Sequence, residues 1–122
     1  MSSGSPYEPL IGFSRAVRVG DRVLVSGTAP VRPDGEVDPD AAAQAQLCFE
    51  IVRDALADLG AAMSDVVRTR VYLVDAADGE AVGRAHGEAF GAATPASSFV
   101  VVAGLLDSRW RVEVEAEAVV EA

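Results

Sequence analysis

The hydrophobic pattern changes period several times along the chain. It is clearest in the stretch Arg111-Val112-Glu113-Val114-Glu115-Ala116-Glu117-Ala118-Val119. Apolar and charged residues alternate strictly there, which is the period of a β-strand with two different faces. Val112, Val114, Ala116 and Ala118 point to a core, and Arg111, Glu113, Glu115 and Glu117 point away from it. The charged row is either a solvated sheet face or the lining of a polar cleft between subunits.

Earlier segments complete the plan. Arg15–Val19 and Arg22–Ser26 read as strands, with Gly20-Asp21 between them as a tight hairpin turn. Pro33-Asp34-Gly35 is a second turn signal. Asp38-Pro39 predicts a helix start, with Asp38 as N-cap and Pro39 at the first helical position. Cys48, Val52, Ala55, Leu56 and Leu59 recur at helical spacing, and Gly60 follows as a stop. Val66–Val74 alternates again, placing Thr69, Val71 and Leu73 on one face and Arg68, Arg70 and Tyr72 on the other. Asp75–Asp78 leads into a second helix, Gly79–Phe90, interrupted by Gly83 and Gly87 and closed by Gly91. Ser97–Ala103 is a nearly continuous apolar run, the kind of strand buried on both faces, and Trp110 opens the last strand.

The order β-β-α-β-α-β-β predicts one α+β domain over residues 1–122, with two helices on one face of a single mixed sheet. Residues 1–10 read as a flexible start. The opposite sheet face would carry Arg70, Tyr72, Phe99, Val101, Glu113 and Glu115. That mixture suits a subunit interface with a polar cleft in it, so an oligomer is expected.

Composition narrows the function classes. Half of the 122 residues are hydrophobic and 24% are charged, which supports a packed core. No apolar run is long enough to span a bilayer, and the start lacks the basic and apolar parts of a secretion signal, so a cytoplasmic protein is expected. The net charge of −9 disfavours nucleic acid and anionic membranes as partners. All ten basic residues are arginine. A single histidine, His86, and a single cysteine, Cys48, make neither a metal site nor a nucleophile pair, and Cys48 reads as a buried structural thiol. No glycine-rich phosphate loop follows a strand.

Four segments and the order of elements carry a family resemblance. The segments are Val25-Ser26-Gly27-Thr28-Ala29-Pro30, Val67-Arg68-Thr69-Arg70-Val71-Tyr72-Leu73, Thr94-Pro95-Ala96-Ser97 and Arg111-Val112-Glu113-Val114-Glu115-Ala116. Over residues 11–120 the chain resembles the Rid family, also called YjgF-like and, by an older label, endoribonuclease L-PSP. The resemblance implies a chorismate-mutase-like fold and a homotrimer with three small-molecule clefts between subunits. It implies hydrolysis of reactive enamines and imines to 2-keto acids and ammonia, without cofactor or metal. In active members an arginine directly after Pro-Ala binds the substrate carboxylate, a task suited to a forked guanidinium. That position is Ser97 here. The family's helix asparagine aligns with Gly83 and its cleft tyrosine with Phe13, while Ser26 and Glu113 match the turn serine and the water-positioning glutamate.

The resemblance therefore implies a branch in which the water-handling side, Glu113 and Ser26, survives and the carboxylate-binding side is lost. Ligand-binding candidates are Phe13, Arg70, Arg84, His86, Ser97 and Trp110. Arg70 either binds an anionic ligand or forms a plain ion pair with Glu113 or Glu115. Trp110 either roofs the cleft or anchors an interface. Two readings stay open: a cofactor-independent hydrolase of an imine-like molecule, and a non-catalytic small-molecule binder using the same cleft. The ribonuclease reading of the older label fits poorly with the acidic charge and the lack of basic residues interleaved with aromatics.

Overall fold

The computed structural model describes Ser5 and residues 7–121. The predicted flexible start falls partly on residues 1–4 and 6, outside the described residues, and Glu8–Gly12 forms one π-helical turn. The strands are β1 (Ala16–Val19), β2 (Arg22–Thr28), β3 (Val66–Leu73), β4 (Ala96–Val101) and β5 (Val112–Val119). The helices are α1 (Ala41–Asp58) and α2 (Gly79–Phe90). The sheet order is β1-β2-β5-β3-β4. Only β3 and β4 run parallel, joined by α2, so the sheet is mixed as expected.

Alternation decides which residues enter the core. On β5, Val112, Val114, Ala116 and Ala118 are buried, and on β3 so are Thr69, Val71 and Leu73. They meet Cys48, Phe49, Val52, Ala55 and Leu56 of α1 and Val82, Ala85 and Phe90 of α2. The hairpin turn uses Gly20 at φ +61°. Gly60, at φ +82° just beyond α1, takes the left-handed conformation that ends helices.

Several expectations are corrected. First, α1 is capped by Asp40, not Asp38, its carboxylate accepting from the Ala43 N–H at 2.9 Å. Asp38 instead accepts from the Asp40 N–H at 2.9 Å, a local turn that delays the helix past Pro39. Second, the apolar run near residue 100 is not buried on both faces. It forms β4 at the sheet edge, with Phe99, Val100 and Val101 exposed. Third, Phe99 and Val101 do not join the glutamate face. The parallel register pairs Ser97, Phe99 and Val101 with Thr69, Val71 and Leu73, so all six point to the helix side. Ser98 and Val100 take the open face beside Arg70 and Tyr72.

Trp110 lies in a turn closed by its N–H to the Asp107 carbonyl, two residues before β5 begins. Arg111 likewise precedes the strand. Its guanidinium leaves the glutamate row and grips Asp78 at 2.7 and 3.1 Å. Buried Gln44 completes this corner, donating to the carbonyls of Asp38 and Arg109 and accepting from the Arg111 N–H.

Candidate functional site

The open sheet face is a ladder of charge. Antiparallel register sets Arg70 opposite Glu115 and Tyr72 opposite Glu113. Arg70 pairs with Glu115 at 3.1 Å, and the Tyr72 hydroxyl donates to the same carboxylate oxygen at 2.8 Å. That hydrogen bond is the main reason the Tyr72 phenol lies above its ordinary range. Arg22 pairs with Glu117 at 3.1 Å. Arg68 donates to the Ser98 hydroxyl, while its buried Nε has no partner among the described residues. A concavity of about 240 Å³ lies here, lined by Leu24, Arg68, Arg70, Glu115 and Glu117 among others.

Glu113 differs from its neighbours. It has no hydrogen bond or ion pair among the described residues, and burial, then the charge of Glu115, pushes its carboxyl above the ordinary value. Its Oε2 lies over Gly27 so closely that a Cβ there would be 2.5 Å away. Glycine at that position makes room for the carboxylate, a function the sequence did not signal. β2 bulges there: its register against β5 shifts between Val25 and Thr28.

Beside Gly27, the Ser26 hydroxyl donates to the Ser14 carbonyl at 2.6 Å, tying down the segment that enters β1. Phe13 ends the π-turn, its N–H bonded to the Glu8 carbonyl.

The other predicted residues lie elsewhere. Ser97 projects from the edge of β4 and His86 from α2, and buried Thr69 joins them. Its hydroxyl is 2.7 Å from the Ser97 Oγ and 2.8 Å from the His86 Nε2. Around the imidazole stand the rings of Phe49, Phe90 and Phe99, with centroids 4.8–5.8 Å away. Burial lowers the His86 pKa below its ordinary value. Thr69 was legible as a hydroxyl on a core face, which needs a partner, but its two partners came only from the parallel register and the placement of α2.

Arg84 is well exposed and pairs with Glu80 on its own helix. Gly83 has open space where a side chain would stand, so no close packing explains it. Trp110 is half-buried, and its buried indole N–H has no partner among the described residues. Cys48 is buried, donates to the Thr28 carbonyl, and has its thiol pKa pushed far up by burial, so it is inert. No group of three or more potential metal ligands occurs among the described residues. No described helix is long and apolar enough to cross a membrane.

Glu113 and the Ser97–Thr69–His86 group thus occupy opposite faces of one sheet. Among the described residues of a single chain, nothing brings them to the same small molecule.

Comparison with known proteins agrees with this fold. An uncharacterized protein of Streptomyces coelicolor is 45% identical over 121 residues, covering 97% of this chain and 89% of that protein. The 2-iminobutanoate/2-iminopropanoate deaminase of Escherichia coli is 36% identical over 112 residues, covering 88% and 86%. The crystal structure of a Mycobacterium tuberculosis member of the YjgF/YER057c/UK114 family superposes with a TM-score of 0.90 at 41% identity, covering 98% and 97%. The family profile described as Endoribonuclease L-PSP matches residues 4–120. The chain belongs to that family, the YjgF or Rid family.

Proposed function

We propose that this protein is a homotrimer whose clefts, formed between subunits, hydrolyse a small reactive enamine- or imine-like molecule without metal or cofactor. The observation that carries the reading is the half-buried, unpartnered Glu113 carboxylate. A carboxylate that spends its charge on no cation, and whose pKa is raised, is a better base for a water molecule than its neighbour Glu115. The deaminase relative from Escherichia coli favours an imine as the electrophile.

Two surfaces left without cover among the described residues support assembly. One is the apolar edge strand β4, and the other is the open face, where exposed Val17, Val19 and Val100 flank the charges. A second copy would cover these surfaces and place the β4 edge of one subunit against the Glu113 face of the next. With Ser97 where the resemblance implies a carboxylate-binding arginine, and with Arg70 held by Glu115, an ordinary 2-imino acid is poorly bound. The substrate therefore differs from that of the deaminase relatives. A non-catalytic binder using the same cleft is the second reading, favoured by that missing cation.

The test is hydrolysis of freshly generated 2-imino acids, made by an amino-acid oxidase and trapped with semicarbazide. Wild type, Ser97→Arg and Glu113→Gln are compared, with molar mass from light scattering. Low wild-type turnover, a gain in Ser97→Arg and its loss on adding Glu113→Gln support a hydrolase with altered ligand choice. High wild-type turnover refutes the argument from the missing arginine. Silence in all variants moves the conclusion to a binder, and a monomeric mass refutes the shared cleft.

A further inference from the structure

One polar chain links a buried hydroxyl of β3 to side chains of two other elements, α2 and β4. Thr69 is fully buried, and one partner would satisfy its hydroxyl. It has two. One is the imidazole of His86 among three phenylalanine rings, and the other is the hydroxyl of Ser97, exposed on the edge of β4. Ser97, Thr69 and His86 are thus a continuous hydrogen-bonded path from an exposed hydroxyl to a half-buried base.

We propose that Ser97, Thr69 and His86 form a proton-relaying subsite at the β4 edge, which binds the nitrogen or oxygen of a small imine, amine or carbonyl compound and exchanges a proton with it. The proposal rests on the preceding reading only in placing a ligand at this edge. In the forward direction the ligand's N–H or O–H proton passes to the Ser97 Oγ. The Thr69 hydroxyl, which donates to the Ser97 Oγ at rest, turns to the His86 Nε2 and gives it its proton while the Ser97 proton moves to the Thr69 Oγ1. The ligand keeps the electron pair, the imidazole becomes imidazolium, and no atom is oxidised or reduced. The reverse sequence delivers a proton to a departing nitrogen, as hydrolysis of an imine to a ketone and ammonia requires.

The surroundings suit a reservoir that is empty at neutral pH. The groups facing the imidazole are Thr69 of β3, Phe99 of β4, Phe49 of α1 and Phe90 of its own helix, none of them charged. Burial alone acts on His86, and it favours the neutral ring.

His86 is the only histidine, so its imidazole resonances report one site. Its titration midpoint is measured by NMR in wild type, Ser97→Ala, Thr69→Val and the double variant, with and without butanone, a carbonyl probe that carries no carboxylate. Ser97 is not hydrogen-bonded to the imidazole, so its removal is felt there through the shared Thr69 hydroxyl. Ser97→Ala is expected to move the midpoint by roughly 0.3 pH unit or more in the wild-type background, and not at all beside Thr69→Val. Thr69→Ser, which keeps the hydroxyl, retains the coupling and controls for misfolding of Thr69→Val. The probe is expected to shift the midpoint in wild type and not in Ser97→Ala. Equal effects of Ser97→Ala in both backgrounds, no effect in either, or no response of the wild type to the probe overturns the proposal. These readouts involve neither turnover nor Glu113, so the hydrolase reading can fail without them, and they without it.

Discussion

Replacing Gly27 by alanine separates the role of Glu113 from that of the fold. The new Cβ would stand 2.5 Å from the Glu113 Oε2 and 3.3 Å from its Cδ. Restoring a normal separation requires the carboxylate to withdraw by about 1 Å. The obstructing atoms are the far end of a flexible side chain, so rotation of that side chain is the easiest response. A displaced rotamer costs about 0.5–1.5 kcal/mol. Gly27 lies outside the left-handed region, so the backbone adds no strain of its own. Urea denaturation should therefore show a loss of about 1 kcal/mol with an unchanged slope. The carboxyl 13C titration of Glu113 should move down toward the ordinary range as the group turns to water. Turnover or ligand binding in the cleft should fall about as far as in Glu113→Gln. A loss above about 3 kcal/mol would mean that backbone, not side chain, absorbs the clash. An unchanged Glu113 titration would refute the argument that glycine makes its room.

Other perturbations test the frame and the charge of the site. Gln44→Leu keeps the volume but orphans the Arg111 N–H and removes a donor from two carbonyls, so a loss of about 2–4 kcal/mol in urea unfolding is expected. Asp40→Ala should cost about 1 kcal/mol as the loss of a helix cap, and more than Asp38→Ala measured the same way. Because the folded Glu113 pKa is raised, the native state binds its proton more tightly than the unfolded chain does. Its contribution to stability is greatest below the ordinary value of 4.5 and is lost as pH rises through the raised folded value. Glu113→Gln should therefore flatten the fall of melting temperature across that window and raise it at neutral pH.

The fold was legible wherever one local signal fixed one outcome. Strict alternation placed the buried and exposed faces of β3 and β5, and helical spacing placed the core face of α1. Errors arose where a second element decides. Ser97–Ala103 has the composition of a doubly buried strand, yet only β3 pairs with it, and pairing partners are not written in the segment itself. The face of Phe99 depended on the register of a parallel pair, in which a shift of one residue exchanges the faces. The same register unites Thr69 with Ser97 across 28 positions, so the hydroxyl–imidazole chain could not be seen beforehand. Asp38 and Asp40 offered two caps, and the hydrogen bond from Asp40 to Asp38 settled the choice. Glu113 was found as a candidate, but its lack of a partner became visible only when Arg70 was seen to choose Glu115.

That choice makes the two halves of the proposed cleft separable by genetics. In the proposed trimer Glu113 would serve from the open face and Ser97 from the helix side at the edge of β4, so each cleft would take one half from each of two neighbours. A Glu113→Gln chain and a chain blocked at the edge by Ser97→Trp would each be inactive alone. Mixed at random in equal amounts, they would leave about a quarter of the clefts with two intact halves, because adjacent copies contribute independently to a head-to-tail interface. Refolding the two variants together should recover roughly that share of wild-type turnover or ligand capacity, while mixing them without dissociation should recover none. Full additivity of the two defects after subunit exchange would mean that each chain builds its site alone. The opposite-face placement of Glu113 and Ser97 would then have no bearing on function.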